Sequence, residues 1–170
     1  MAIRTSIGTP TANSYISVAS ADEYFNTKDD ADLWRDLTNA STGTLSATTR
    51  KENLLIQSTR ELDDTYRFHD RKYYNGARGS GAESYQSLEF PRSSNIEANS
   101  TGALFIPYEV QDATCEQALW IIERQGKRTT PEGEVQEKQT ISDEAYNYIK
   151  GWVNRQVKSH GKPAWFKSAF

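Results

Sequence analysis

The hydrophobic pattern changes period several times along the chain, and each change marks an element. In "ATTRKENLLIQSTRELDDTY", Leu54, Leu55, Ser58, Thr59, Leu62 and Tyr66 recur at three- and four-residue steps. This spacing predicts a helix over 47–65 with one stripe toward a core. Arg50, Lys51, Arg60, Glu61, Asp63 and Asp64 fall largely outside that stripe. "IPYEVQDATCEQALWIIERQG" predicts a second long helix over 107–125. Pro107 suits its first turn, Glu109 and Asp112 suit its positive end, and Gly126 suits its close. Val110, Ala113, Thr114, Gln117, Ala118, Ile121 and Ile122 form its inward stripe. Two short helices are expected within 20–37: one opens on Ser20 and Glu23 as a capping box, with Ala21, Tyr24 and Phe25 inward, and one carries Leu33, Trp34 and Leu37 on one side. Ser142 suits the cap of a further helix over 143–157.

Other stretches have no helical period. Residues 1–16 are rich in Thr, Ser, Gly and Pro with isolated Ile3, Ile7, Tyr15 and Ile16, which predicts an extended arm. Residues 67–106 carry the turn signal Asn75-Gly76 and abundant Gly, Ser, Asn and Arg, which predicts a long loop or hairpin inserted in a domain spanning 17–158. Its second half, "SLEFPRSSNIEANSTGALFIPYEV", holds Leu88, Phe90, Phe105 and Ile106 in a segment that can be neither helix nor ladder strand throughout. Pro91 biases its predecessor toward extended backbone. The fold class is therefore mainly α: a small helical bundle with a long extended loop or hairpin between the second and third major helices. It has extended N- and C-terminal arms, the latter over 159–170. Strand is expected only within 67–106 and in the N-terminal arm.

Composition adjusts this picture. Apolar residues make up 36% of the 170, below the ~45–50% usual for globular domains, and the mean hydropathy is −0.78. Much of the chain therefore stays wet or is covered only by partners. Four Trp, nine Tyr and six Phe argue against disorder. The net charge of −3 gives no global basic field, yet it is uneven. Asp22, Glu23, Asp29, Asp30, Asp32 and Asp36 make the start acidic. Lys150, Arg155, Lys158, Lys162 and Lys167 make the end basic, a polarity that suits head-to-tail contact between copies. One cysteine excludes an internal disulfide. The sequence has no apolar run of about 18 residues and no signal-like start, so the expected site of synthesis is the cytoplasm.

Catalytic and metal chemistry find little to work with. His69 and His160 lack the spacing of a metal site, and the His69-Asp70 pair reads as an exposed loop. Cys115 falls mid-helix as a small hydrophobe. "NGARGSG" (75–81) has neither the preceding strand nor the following Lys-Ser/Thr of a phosphate loop. Asp29-Asp30 and Asp63-Asp64 are sequence neighbours whose side chains diverge on a helix, so they read as solvated. The chain is thus expected to be no enzyme and to need no cofactor or metal. "YRFHDRKYYNGAR" is more suggestive. Arg67, Arg71, Lys72 and Arg78 alternate with Tyr66, Phe68, Tyr73 and Tyr74, as in single-strand binding by phosphate neutralisation and base stacking. The competing reading is a hairpin whose aromatics rest on the domain or on a neighbouring copy.

"ANSYISVASADEYF", "KENLLIQSTRELD", "QSLEFPRS" and "IPYEVQDATCEQAL" occur in an order that resembles the head-to-tail connector (adaptor, head-completion) proteins of tailed bacteriophages, over about residues 11–125. Relatives of that family often carry the label DnaT-like ssDNA-binding. The resemblance implies a structural protein of the virion neck, made in the host cytoplasm, that forms a ring of twelve copies. The ring would bind the portal and the next neck or tail protein and extend the channel through which DNA passes. It also implies that Leu88, Phe90, Pro91, Arg92, Ile106 and Pro107 strap the connecting segment over the bundle, while Arg67, Arg71, Lys72, Tyr73, Tyr74 and Arg78 face a neighbouring copy or the channel. Trp165, Phe166 and Phe170, with Lys162 and Lys167, cluster in a short terminal peptide that seldom stays in water, so the tail either folds back on its own domain against Trp152 or docks into a partner, which the resemblance implies is the portal. The alternative function is a single-stranded DNA-binding module.

Overall fold

A computed structural model describes residues 2–37, 45–70, 72, 86–92, 104–128 and 141–156. Arg71, Tyr73, Tyr74 and Arg78, the glycine-rich stretch at 75–81 and the whole tail from 157 lie outside the described residues. The chain is mainly helical. α1 (Val18–Asn26), α2 (Asp32–Asp36) and α3 (Ala47–Thr65) are followed by the short strand β1 (Tyr66–Phe68). α4 (Tyr108–Arg128), α5 (Asp143–Ile149) and the strand β2 (Val153–Gln156) complete the order.

α3 forms where its period requires. Ser46 caps it by accepting from the Thr49 N–H, and Leu54, Leu55, Ser58, Thr59 and Leu62 are buried. α4 packs against it, and α5 packs against α4. α4 runs past Gly126 to Arg128, so that glycine does not end it: intrahelical hydrogen bonding outweighs a propensity cost of about 1 kcal/mol. α1 begins three residues earlier than its capping-box reading. The cap is Ser17, which accepts from the Ser20 N–H. Leu33 faces solvent, whereas Trp34 is fully buried between α1 and α3. Its indole N–H donates to Asp22 at 2.8 Å, and Lys51 pairs with the same carboxylate at 2.7 Å.

The largest departure lies near the end of the described chain. Ser142 does cap a helix, but α5 stops at Ile149 and the chain turns through Gly151 into β2, not into further helix. Gly151 is the poorest non-proline helix former, and β-branched Val153 prefers extended backbone. β2 pairs antiparallel with β1, Tyr66 opposite Gln156 and Arg67 opposite Arg155, with an irregularity before Phe68 meets Val153. Strand therefore occurs outside 67–106 as well, contrary to the sequence expectation.

Among the described residues, two apolar clusters fill the interior. One joins α1, α2 and the middles of α3 and α4 around Phe25, Trp34, Leu55 and Ile121. The other joins the N-terminal arm, the end of α3, β1, the 86–92 segment and α5 around Tyr15, Leu62, Phe68, Phe90 and Ile149.

Candidate functional site

Where α3 ends, three segments far apart in sequence meet. The arm brings Tyr15, α3 brings Asp63, and the 86–92 segment brings Glu89, Phe90 and Arg92. The Tyr15 hydroxyl donates to Asp63 Oδ1. The Glu89 N–H points at both Asp63 Oδ2 and Tyr15 Oη, each at 3.1 Å, and the Phe90 N–H reaches Tyr15 Oη at 3.3 Å. Desolvation pushes the Asp63 carboxyl up to about 7, against the opposing pull of its Tyr15 and Glu89 hydrogen bonds. The Tyr15 phenol is raised too, first by burial and then by the Asp63 charge. Asp63 is thus partly buried and bonded, not solvated as its helical position suggested. Only Asp64, beside it, is exposed.

The 86–92 segment is fastened at both ends. Gln86 Nε2 donates to the carbonyls of Leu88 (3.0 Å) and Pro91 (2.9 Å), which fold the segment around one amide. Ser87 donates its N–H to the Thr9 carbonyl and its hydroxyl to the Ala12 carbonyl. Phe90 is 1% exposed and touches Tyr15, Phe68 and Trp152 edge to face. Arg92 is buried over the rings of Phe68 and Phe90. It donates to the Asp70 carbonyl at 3.0 Å and pairs with Glu89 at 2.5 Å. Leu88, Pro91, Ile106 and Pro107 are buried as well, and Phe105 half-buried.

An open cleft of about 420 Å³ lies beside this junction, lined by Asp63, Asp64, Tyr66, Arg67, Phe68, Asp70, Glu89 and Arg92. Of the basic and aromatic stretch, Tyr66 and Phe68 are core residues and Arg67 is exposed. Lys72 is half-exposed and holds Glu89 at 2.7 Å. The structure therefore brings Arg67, Lys72 and Arg92 to one end of the molecule, but turns the two described aromatics inward. His69 is exposed, and no cluster of three metal-ligating side chains occurs among the described residues. Cys115 is buried, which raises its thiol well above the ordinary range. Among the described residues, no helix is long and apolar enough to cross a membrane.

Sequence reasoning missed the roles of Asp63 and Gln86. Only the coincidence of an acid at the end of α3 with a tyrosine in the arm could have pointed to the first, and spacing does not reveal it. A family model described as "Putative DnaT-like ssDNA binding protein" matches residues 1–151. No curated protein and no solved structure matches the chain.

Proposed function

The chain belongs to the DnaT-like ssDNA-binding family, and on that premise we propose that it is a non-enzymatic DNA-associated protein that holds single-stranded DNA through the stretch 67–78. The family match carries this reading. Exposed Arg67, which lines the cleft, and half-exposed Lys72, which pairs with Glu89 of that lining, supply positive charge. With Tyr66 and Phe68 committed to the core, base stacking falls to Tyr73 and Tyr74, and Arg71 and Arg78 add phosphate contacts. Fluorescence anisotropy with an oligothymidylate at two salt concentrations tests it. The expected result is sub-micromolar binding that weakens as salt rises, with a slope of about −0.7 per phosphate contact for single strands. Absence of binding at low salt overturns it.

A second reading is the ring-forming head-to-tail connector of a tailed phage. It is supported by the Phe90-Pro91-Arg92 segment lying over the core, as the resemblance implies, and by the acidic start and basic end of the chain. On this reading the partners are the portal, neighbouring copies and the next neck protein, and the place is the virion neck. Imaging of mixtures with a portal tests it: rings are expected on the portal, and deletion of residues 161–170 is expected to abolish them with little change in melting temperature. A truncated chain that melts several degrees lower and still attaches overturns the docking role of Trp165, Phe166 and Phe170.

A further inference from the structure

Three tyrosines are exposed among the described residues: Tyr108, Tyr146 and Tyr148. Tyr148 is tied through its hydroxyl to that of Tyr24 at 3.4 Å. Tyr146, on α5, is placed differently: its ring stacks on that of Tyr66, with centroids 5.8 Å apart and planes inclined by 25°. Tyr66 is 4% exposed and Tyr146 43%, so the pair presents its outer ring to solvent while its inner ring is fixed in the core. Both rings are held from behind. Tyr66 meets Phe68 edge to face, and the Ser142 cap anchors the start of α5. Tyr66 also lines the cleft, as does the exposed Arg67 beside it. Lys150, exposed as well, closes the turn that begins at Tyr146: its N–H donates to the Tyr146 carbonyl at 2.9 Å. Side chains in this i, i+4 relation share one face of a helix. Neither Arg67 nor Lys150 makes an ion pair among the described residues. Burial pushes the Tyr66 phenol up to about 12, helped by Tyr146 and Asp143 near it. A carboxylate so placed repels a phosphate from the rings themselves, but not an uncharged base.

We propose that Tyr146 is a stacking platform for an unpaired nucleobase, with Lys150 and Arg67 holding phosphates of the same strand. Stacking of this kind tolerates any sequence, because every base has a π face. A ring already fixed by a neighbour loses little side-chain freedom when a base covers it. The inference rests on the strand-binding reading given above. It adds an anchor from α5, which lies far from the 67–78 stretch in sequence and reaches it only through the contact between Tyr146 and Tyr66.

The test uses the full chain, the variants Y146A, Y146F, Y146L and K150Q, and two probes of equal length: an oligothymidylate and an abasic deoxyribose-phosphate strand. In anisotropy titrations Y146A should bind the oligothymidylate roughly 5- to 150-fold more weakly than the wild type. The slope of log K against log salt should not change, because stacking neutralises no phosphate. Y146F should bind as the wild type does, and K150Q should lower the slope by about 0.7. On the abasic strand the wild type and Y146A should bind alike. Y146L keeps an apolar cover over Tyr66 without a π face, and it replaces Y146A should that variant melt several degrees lower. Equal affinity of the wild type and the ringless variant for the oligothymidylate overturns the platform and leaves the strand-binding reading standing. An equal loss on both probes also overturns it, since Tyr146 then acts through the fold and not on a base. An unchanged slope in K150Q overturns the phosphate role of Lys150. A wild type that binds no oligothymidylate at low salt overturns the reading and the platform together.

Discussion

Asp63 shows how much one side chain can hold and how its charge state bears on stability. Its carboxyl is raised because burial penalises the anion, and the shift to about 7 places its titration near neutrality. A raised carboxyl stabilises the fold most when protonated. That contribution is complete below the unfolded value near 3.9 and is lost as pH rises through about 7. Glu89, with Lys72 and Arg92 held to it, is the charged group facing Asp63 from the opposing segment, and the Tyr15 phenol faces it from the arm. Melting temperature should therefore decline between pH 5 and 8 beyond what surface carboxylates produce, and Asp63→Asn should flatten that decline. A wild-type curve as flat as the variant's would remove Asp63 as its cause. Tyr15→Phe, which deprives two backbone N–H groups and Asp63 of a partner, should cost about 1–3 kcal/mol in denaturant unfolding. None of this was legible from the sequence: adjacent acids on a helix diverge, so Asp63 and Asp64 read alike, and what separates them is a segment arriving from more than 20 residues away.

At the scale of elements, reading from period worked where local signals and burial agreed. The stripe of α3 and its bounds, the inward face of α4 and the Ser142 cap all follow from residues three or four apart. It went wrong where a partner distant in sequence decided the outcome. β2 exists because β1 offers it a ladder, and no pattern within 150–157 announces a partner some 85 residues earlier. Gln117, placed on the apolar stripe of α4, joins three helices: its amide donates to Glu61 on α3 at 2.6 Å and accepts the Ser142 N–H at 2.9 Å. The start of α5 is thus held twice, once by that amide and once by the Ser142 hydroxyl, which accepts from the Ala145 N–H at 2.9 Å. Ser142→Ala should cost about 1 kcal/mol, as loss of an N-cap usually does. Gln117→Leu should cost more, because it leaves a buried N–H and the Glu61 carboxylate without that partner. Equal losses in chemical denaturation would show that Gln117 only fills space.

For the whole molecule, the low apolar content is met by spending buried aromatics on one junction: Tyr15, Phe68, Phe90 and Trp152 converge there, with Arg92 laid over two of the rings. The arm precedes in the chain the segment that covers it, by some 75 positions. Ser87 bonds to Ala12 across 75 positions, and Glu89 meets Tyr15 across 74. A ribosome adding ~5–20 residues per second therefore exposes the arm for roughly 4–15 s before its cover exists. Throughout that interval Tyr15 is accessible to chaperones and proteases, because the segment that covers it has yet to be translated. Nascent chains stalled with residue 80 just outside the exit tunnel should be clipped within the first 16 residues under limited proteolysis, while chains stalled with residue 150 outside should resist. The arm, made before its cover, becomes native only after the segment some 75 residues later has emerged.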